Sequence, residues 1–70
     1  MDKATFDAVT IGERIGFMTG PGALPRDNLA TITAKVEDRW GRHVRVKFDE
    51  DGREDTVHGF VTQGIGAYRL

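Results

Sequence analysis

Two neighbouring stretches of the chain, 31–37 and 43–49, alternate between apolar and polar residues. The apolar positions of the two stretches are Ile32, Ala34, Val36, Val44, Val46 and Phe48. The polar positions between them include Thr31, Thr33, Lys35, Glu37, His43, Arg45 and Lys47. A period of two residues is typical of an antiparallel strand with one buried face. The pattern therefore predicts two strands with a common apolar face.

The residues between these strands predict a tight hairpin turn. A three-residue loop, Arg39-Trp40-Gly41, suits a type I turn followed by a left-handed residue, and Gly41 fills that position. The predicted cross-strand pairs are Val36 with Val44, Ala34 with Val46 and Ile32 with Phe48. Because the turn and the apolar pattern agree, we expect this register.

A second turn is predicted at Asp51-Gly52, a dipeptide that favours hairpins between alternating strands. A two-residue loop there places Val57 beside Val46. A three-residue loop would place Thr56 beside Val46, so the two-residue loop is favoured. The chain from Ala30 to Gly59 is thus expected to form a three-stranded meander.

The part of the chain before the meander is expected to add one strand and one long loop. Residues 1–11 are predicted to form an N-terminal arm before the main domain, residues 12–70. Within this arm, residues 1–9 are expected to be either a short helical turn or an extended segment that packs on the domain. Arg14–Thr19 predicts the first strand, in which Gly16 indicates close packing or a bulge. Gly20–Asn28 contains turn-forming residues without periodicity and is expected to be a loop. Such a long loop suits either a contact surface or a connection across one end of the fold.

After the meander, the chain is expected to form one short turn and a last strand. Phe60–Gly66 is too short for a regular helix and predicts a single 3₁₀ turn. Ala67–Leu70 predicts the closing strand.

This order of elements resembles that of SH3-like small barrels. The resemblance covers roughly Gly12 to Leu70, and the residues that carry it are Gly12-Glu13-Arg14-Ile15, Gly20-Pro21, Trp40-Gly41 and Asp51-Gly52. The opening part is similar to the KOW segments of ribosome- and polymerase-associated proteins, although Leu29-Ala30 stands where those segments usually have a glycine. The resemblance implies an all-β fold, a five-stranded SH3-like barrel. A fold of this kind does not by itself imply a function.

The amino-acid composition argues against several kinds of site and activity. The 70 residues carry a net charge of -1 and include no cysteine and only two histidines, His43 and His58. We therefore expect no disulfide, no metal site and no cofactor. The chain also has no serine and no phosphate-binding glycine motif, so no catalytic residue and no enzymatic activity are predicted. No apolar run approaches the roughly 20 residues of a membrane span, which favours a cytoplasmic location and no membrane partner.

The polar face of the meander is the first candidate surface. The expected register places Lys35 across from Arg45 and Thr33 across from Lys47, with His58 and Thr56 on the other side of these two cations. Like charges directly opposite each other are unfavourable unless another group compensates them. The face is therefore either solvated or occupied by an anion such as a phosphate.

The hairpin tip, residues 39–43, is the second candidate surface. Trp40 lies between Arg39 and Arg42, and such a tip can stack on a nucleic-acid base or anchor a protein interface. The alternative is that Trp40 folds back and covers the open end of the core.

Acidic residues of the second turn are the third feature. They are Asp49, Glu50, Asp51, Glu54 and Asp55. Their spacing matches no calcium loop, so a solvated turn that protects a sheet edge is expected. With the basic first hairpin, they make the molecule dipolar, and head-to-tail homo-oligomers are one expected consequence.

Two functional hypotheses follow from these features. The first is a module that binds nucleic acid or a ribonucleoprotein. Its candidate contacts are Lys35, Arg39, Trp40, Arg42, His43, Arg45 and Lys47. The second is a protein-interaction or regulatory module that contacts a larger partner through Trp40 and through Leu24 and Arg26 of the long loop.

Overall fold

The computed structural model describes residues 1–18 and 28–70. Its elements are one helix, α1 (Lys3–Ala8), and five strands: β1 (Arg14–Met18), β2 (Leu29–Asp38), β3 (Gly41–Phe48), β4 (Glu54–Val57) and β5 (Gly66–Arg69). The described chain is thus mostly β, with a short helix ahead of the first strand. The predicted loop contacts Leu24 and Arg26 lie outside the described residues.

The five strands form one antiparallel sheet in the order β4-β3-β2-β1-β5. Strand β2 is central because it pairs with β1 near its beginning and with β3 along most of its length. Among the described residues, β4 and β5 lie at the two edges, and no ladder joins them. The sheet is therefore antiparallel, as predicted, but backbone hydrogen bonds do not close it into a barrel.

A single core nevertheless receives side chains from all five strands. Its buried members are Val9, Ile15, Ala30, Ile32, Val44, Val46, Val57 and Ala67. The cluster therefore extends across the sheet from one edge strand to the other. Val9 follows α1 and has no exposed surface, so the N-terminal segment also contributes to this core.

The predicted register of the first hairpin is wrong for two reasons. A turn shorter than predicted shifts the pairs next to it by one residue, and an irregularity in β2 between Ile32 and Ala34 shifts the pairs beyond it by one more. Ile32 pairs with Val46 rather than with Phe48, and Phe48 pairs with Ala30 instead. Between the irregularity and the turn, Ala34 pairs with Arg45, Lys35 with Val44 and Val36 with His43. These pairs replace the predicted pairs of Ala34 with Val46 and of Val36 with Val44. An extra residue at a bulge exchanges the two faces of a strand, and no period-two pattern reveals it.

The first turn is also shorter than predicted. Asp38 pairs with Gly41, which leaves only Arg39 and Trp40 between the strands. Gly41 does have the positive φ that was expected, +128°.

The second turn is longer than predicted. The backbone nitrogen of Phe48 donates to the carbonyl of Arg53, so Asp49 to Gly52 form a four-residue loop. Strand β3 consequently pairs Val44 with Val57, while Val46 lies opposite Asp55. The predicted pairing of Val57 with Val46 is therefore wrong, although Val57 still faces a buried valine.

Residues 60–66 do not form the predicted 3₁₀ turn. The structure has bends from residue 62 to residue 65. Gly64 and Gly66 have φ values of +88° and +143°, which a right-handed 3₁₀ turn does not allow. The last strand follows at Gly66–Arg69, close to its predicted position.

Gly16 allows the closest packing in the sheet, as predicted for a glycine within β1. It pairs with Tyr68 of β5, whose ring lies directly over it. A Cβ atom at position 16 would lie 2.5 Å from both Cζ and the hydroxyl oxygen of Tyr68. This part of the sheet therefore depends on the absence of a side chain.

Helix α1 is capped at one end and fastened to β2. The carboxylate of Asp2 accepts a hydrogen bond of 2.8 Å from the backbone nitrogen of Thr5. Lys35 extends from β2 toward the helix. Its Nζ donates to the carbonyl of Val9 at 2.9 Å and lies 4.8 Å from the centroid of the Phe6 ring. The helix thus covers the end of the core where the bulge turns Lys35 inward.

The cap predicts a pH-dependent stability. Hydrogen bonding from Thr5 lowers the pKa of the Asp2 carboxyl from its ordinary value of 3.8. A depressed folded-state pKa stabilises the fold above the unfolded-state value, and this contribution is lost as the pH falls through the folded-state value. At neutral pH, the free energy of unfolding measured with urea should be larger for wild type than for Asp2→Asn. The difference between the two proteins should vanish in strong acid. Asparagine also caps helices, so a difference that stays constant with pH would contradict this role of the charge.

Candidate binding site at the end of the first hairpin

Trp40 is presented to solvent at the tip of the β2–β3 hairpin. Its side chain is 82% exposed. The backbone nitrogen of Trp40 donates to the Asp38 carboxylate at 2.8 Å, and the Arg39 guanidinium lies 4.6 Å from the centroid of the indole ring. The alternative in which Trp40 covers the core is therefore wrong. The residue is an exposed aromatic platform on a turn that its own neighbours hold in place.

A shallow groove of about 320 Å³ lies beside this platform. Its lining residues are Met1, Asp38, Trp40, Gly41, Arg42, His43 and His58. The two histidines are neighbours because Val44 of β3 pairs with Val57 of β4. His43 precedes Val44 and His58 follows Val57, so the two residues lie opposite each other. Their ring centroids are 5.5 Å apart, with 50° between the ring planes. The groove thus combines one exposed indole, two imidazoles and one guanidinium.

Carboxylates accompany two of the predicted basic contacts. Arg42 forms an ion pair with Glu37 across the hairpin, at 2.5 Å between Nε and the carboxylate. Arg45 approaches Glu54 at 3.7 Å, and Lys47 lies opposite the same glutamate in the β3–β4 ladder. The pair of Arg45 with Glu54 is exposed and contributes little to stability, whereas Arg42 is half-buried beside the exposed Glu37. Both pairs reduce the positive charge that the hairpin presents to an approaching anion.

The seven candidate contacts predicted on the hairpin do not form one surface. Arg39, Trp40, Arg42 and His43 lie together at the hairpin end, whereas Arg45 and Lys47 lie farther along the exposed face of β3. Lys35 is turned to the opposite face by the bulge and contacts α1. The expected juxtaposition of Lys35 with Arg45 is therefore wrong, and no group is needed to compensate these two like charges.

The other predicted neighbours on this face change in the same way. Thr31, not Thr33, lies opposite Lys47, and Thr33 donates its hydroxyl to the carbonyl of Arg45. Across the β3–β4 ladder, Thr56 lies opposite Arg45 and Glu54 lies opposite Lys47. His58, predicted to face Arg45, faces His43 instead.

Besides Gly41 of the turn, three lining residues of the groove are not among the predicted contacts. Asp38 could have been found, because an aspartate at the start of a tight turn commonly accepts from the backbone two residues later. His58 depends on the length of the second loop, since only the four-residue loop brings it opposite His43. Met1 is placed by α1, which the sequence predicted only as one of two forms of the N-terminal arm.

A second, more acidic groove lies at the other end of the meander. It has a volume of about 550 Å³ and is lined by Asn28, Leu29, Phe48, Asp49, Glu50, Asp51 and Arg53. Arg14 forms an ion pair with Asp49, and the guanidinium of Arg53 lies over the Phe48 ring. These contacts hold the loop against the sheet, so the loop is a structured turn.

The hairpin end offers stacking and hydrogen bonding to a partner. In residues 1–18 and 28–70, no group of three or more histidine or acidic side chains is arranged to hold a metal ion. Within the same residues, no helix is long and apolar enough to cross a membrane. Searches against protein-family models, curated proteins and solved structures found no match to this chain. A proposal for the function therefore rests on the residues at the hairpin end.

Proposed function

We propose that this protein is a non-enzymatic protein-binding module of the cytoplasm that uses Trp40 as its anchor. The observation that carries the proposal is the 82% exposure of a tryptophan whose turn is held by Asp38 and stacked by Arg39. Tryptophan and arginine are the residues that most often dominate the binding energy of protein interfaces. A pre-organised turn also lowers the ordering cost of association.

Charge favours a protein partner over a phosphate backbone. Glu37 and Glu54 accompany Arg42 and Arg45, and Lys35 is held under α1. A surface that tracks phosphates needs unneutralised cations, since release of counterions drives most of that binding. Alternating charges around an exposed indole instead suit the polar rim and aromatic centre of a protein interface.

Single-stranded nucleic acid is the second candidate, and the stack of Arg39 on Trp40 favours it. An indole with a guanidinium on its face is the kind of platform on which bases stack. In this case the contacts would be the hairpin-end residues together with Lys47, which lies beyond the groove on the same strand.

The proposed fold type is an SH3-like small barrel with an open seam between β4 and β5. The strand order and the long β2, shared between the two halves of the sheet, support this proposal. The core common to all five strands supports it as well. The fold itself places no restriction on which partner is bound.

The test is the variant Trp40→Ala. Because the side chain buries little surface, its melting temperature should stay close to that of wild type. The free energy of partner binding should weaken by about 1–3 kcal/mol, which is a loss of affinity of roughly fivefold to 140-fold. The measurement pairs thermal melting with affinity capture, using Ile11→Ala as a control because Ile11 is also a strongly exposed apolar residue.

The outcomes separate the two partner classes. A protein captured by wild type and by Ile11→Ala, but not by Trp40→Ala, and retained after nuclease treatment supports the protein module. Trp40 is the only tryptophan, so its fluorescence reports directly on added oligonucleotides. Quenching that weakens steeply with salt would favour nucleic acid. Unchanged capture by Trp40→Ala, with no response to oligonucleotides, would contradict both proposals.

A further inference from the structure

The two histidines of the chain face each other across neighbouring segments. His43 belongs to β3, and His58 is the first residue after β4, directly opposite it in the extended ladder. His58 is exposed and His43 is half-buried, so both rings can be reached from the groove. Imidazoles held side by side on a rigid sheet lose little freedom when they bind a common ligand.

The spacing of the rings matches that of two imidazoles on one metal ion. An ion at 2.0–2.1 Å from a ring nitrogen lies roughly 3.2 Å from the ring centroid, so tetrahedral coordination separates two centroids by roughly 5.2 Å. The centroids of His43 and His58 are 5.5 Å apart. The 50° between the ring planes also excludes a flat stack, in which no ring nitrogens would converge.

The surroundings are compatible with a cation. The Asp38 carboxylate lines the same groove, and the charge of Arg42 is offset by its ion pair with Glu37. The groove is open on one side, so water can complete the coordination shell. Of the other charged groups on these strands, Arg45 and Glu54 form their own pair farther along the sheet, Lys47 lies beyond them, and Asp55 lies on the opposite face of β4. The N-terminal amine of Met1, which also lines the groove, donates to the carbonyl of Arg42 at 3.0 Å.

We propose that His43 and His58 form a chelating site for a divalent transition-metal ion. The ion would be of the zinc, nickel or copper class, because imidazole nitrogen suits these metals and oxygen ligands suit magnesium and calcium. Bound metal would join β3 to the segment after the edge strand β4 and stabilise the folded chain. The site is independent of the function proposed for Trp40.

The test uses untagged protein and thermal melting with Zn²⁺, Ni²⁺ or Cu²⁺. Metal that binds only the folded state raises the melting temperature with concentration. At free metal a hundredfold above the dissociation constant, we expect a rise of about 10 °C or more. The stoichiometry should be one metal ion per chain, and Cu²⁺ should bind most tightly. The effect should be weaker at acid pH, because protons compete for the imidazole nitrogens.

The variants His43→Gln and His58→Gln should each abolish the metal-dependent rise. His58→Gln is the cleaner test because the side chain is exposed, so the variant should fold as wild type does without metal. Asp55→Asn is the matched control, since it removes a metal-compatible side chain from the opposite face of β4 and should leave the rise intact. Retention of the rise in His58→Gln, or its absence from wild type at millimolar metal, would overturn the proposal.

Discussion

Ile32→Ala should leave a large fraction of the protein unfolded. Ile32 has no exposed surface, pairs with Val46 and exchanges backbone hydrogen bonds with the segment ahead of β1. Replacing a buried isoleucine with alanine lowers the free energy of unfolding by about 2–5 kcal/mol, because apolar burial is lost and a cavity is left behind. A core in a chain of this size rarely supplies more than about 3–5 kcal/mol in total. The variant should therefore lose most of its stability.

Urea unfolding followed by circular dichroism measures this loss. Ile65→Ala is the matched control because it deletes the same atoms from a side chain that is 71% exposed. The control should unfold at nearly the wild-type urea concentration. Equal effects from the two substitutions would mean that Ile32 does not occupy the centre of the core.

Gly16→Ala should destabilise the pairing of β1 with β5. The new Cβ would lie 2.5 Å from two atoms of Tyr68, so the ring must leave its position against β1. Overpacking of this kind costs typically about 1–3 kcal/mol. Since Gly16 pairs directly with Tyr68, the contact between β1 and the edge strand β5 should loosen first.

Gly59→Ala is the control, because a Cβ at position 59 meets nothing within 4 Å and the backbone there is not in the left-handed region. Hydrogen exchange should show faster opening of β5 in Gly16→Ala and little change in Gly59→Ala. In a Tyr68→Leu background, the Gly16→Ala substitution should cost much less. An undiminished cost in that background would show that the clash is not with Tyr68.

The elements of the fold could be predicted from the sequence, but their alignment could not. Alternation located β2 and β3, and glycine-containing turns marked both hairpins close to their observed positions. The predicted pairing is wrong from the turn onward, because the first turn has two residues instead of three. The irregularity between Ile32 and Ala34 adds a second shift, which the sequence does not reveal because the residues on each side of a bulge still alternate. The second loop failed because Val57 finds a buried valine in either register, so the apolar pattern does not distinguish the two lengths.

Predictions for the site failed for the same reason as those for the register. The tip residues Arg39 and Trp40 remain together because they are neighbours in sequence. The alternation predicts Lys35 on the same face as Arg45, but the extra residue in β2 places its side chain on the opposite face. His58 became a neighbour of His43 only through the observed loop length. Sites composed across strands therefore require a correct register before their chemistry can be predicted.

The strand order also implies a sequence of events during folding. The ladders of β2 with β3 and of β3 with β4 join segments connected by short turns, so little chain entropy is lost in forming them. The ladder of β1 with β5 joins segments near opposite ends of the described chain. Non-local pairings of this kind slow folding, because the entropy of the intervening chain is lost before the pairing contributes any stabilising energy. We therefore expect the central meander to nucleate folding and the β1–β5 pairing to be the late, rate-limiting closure.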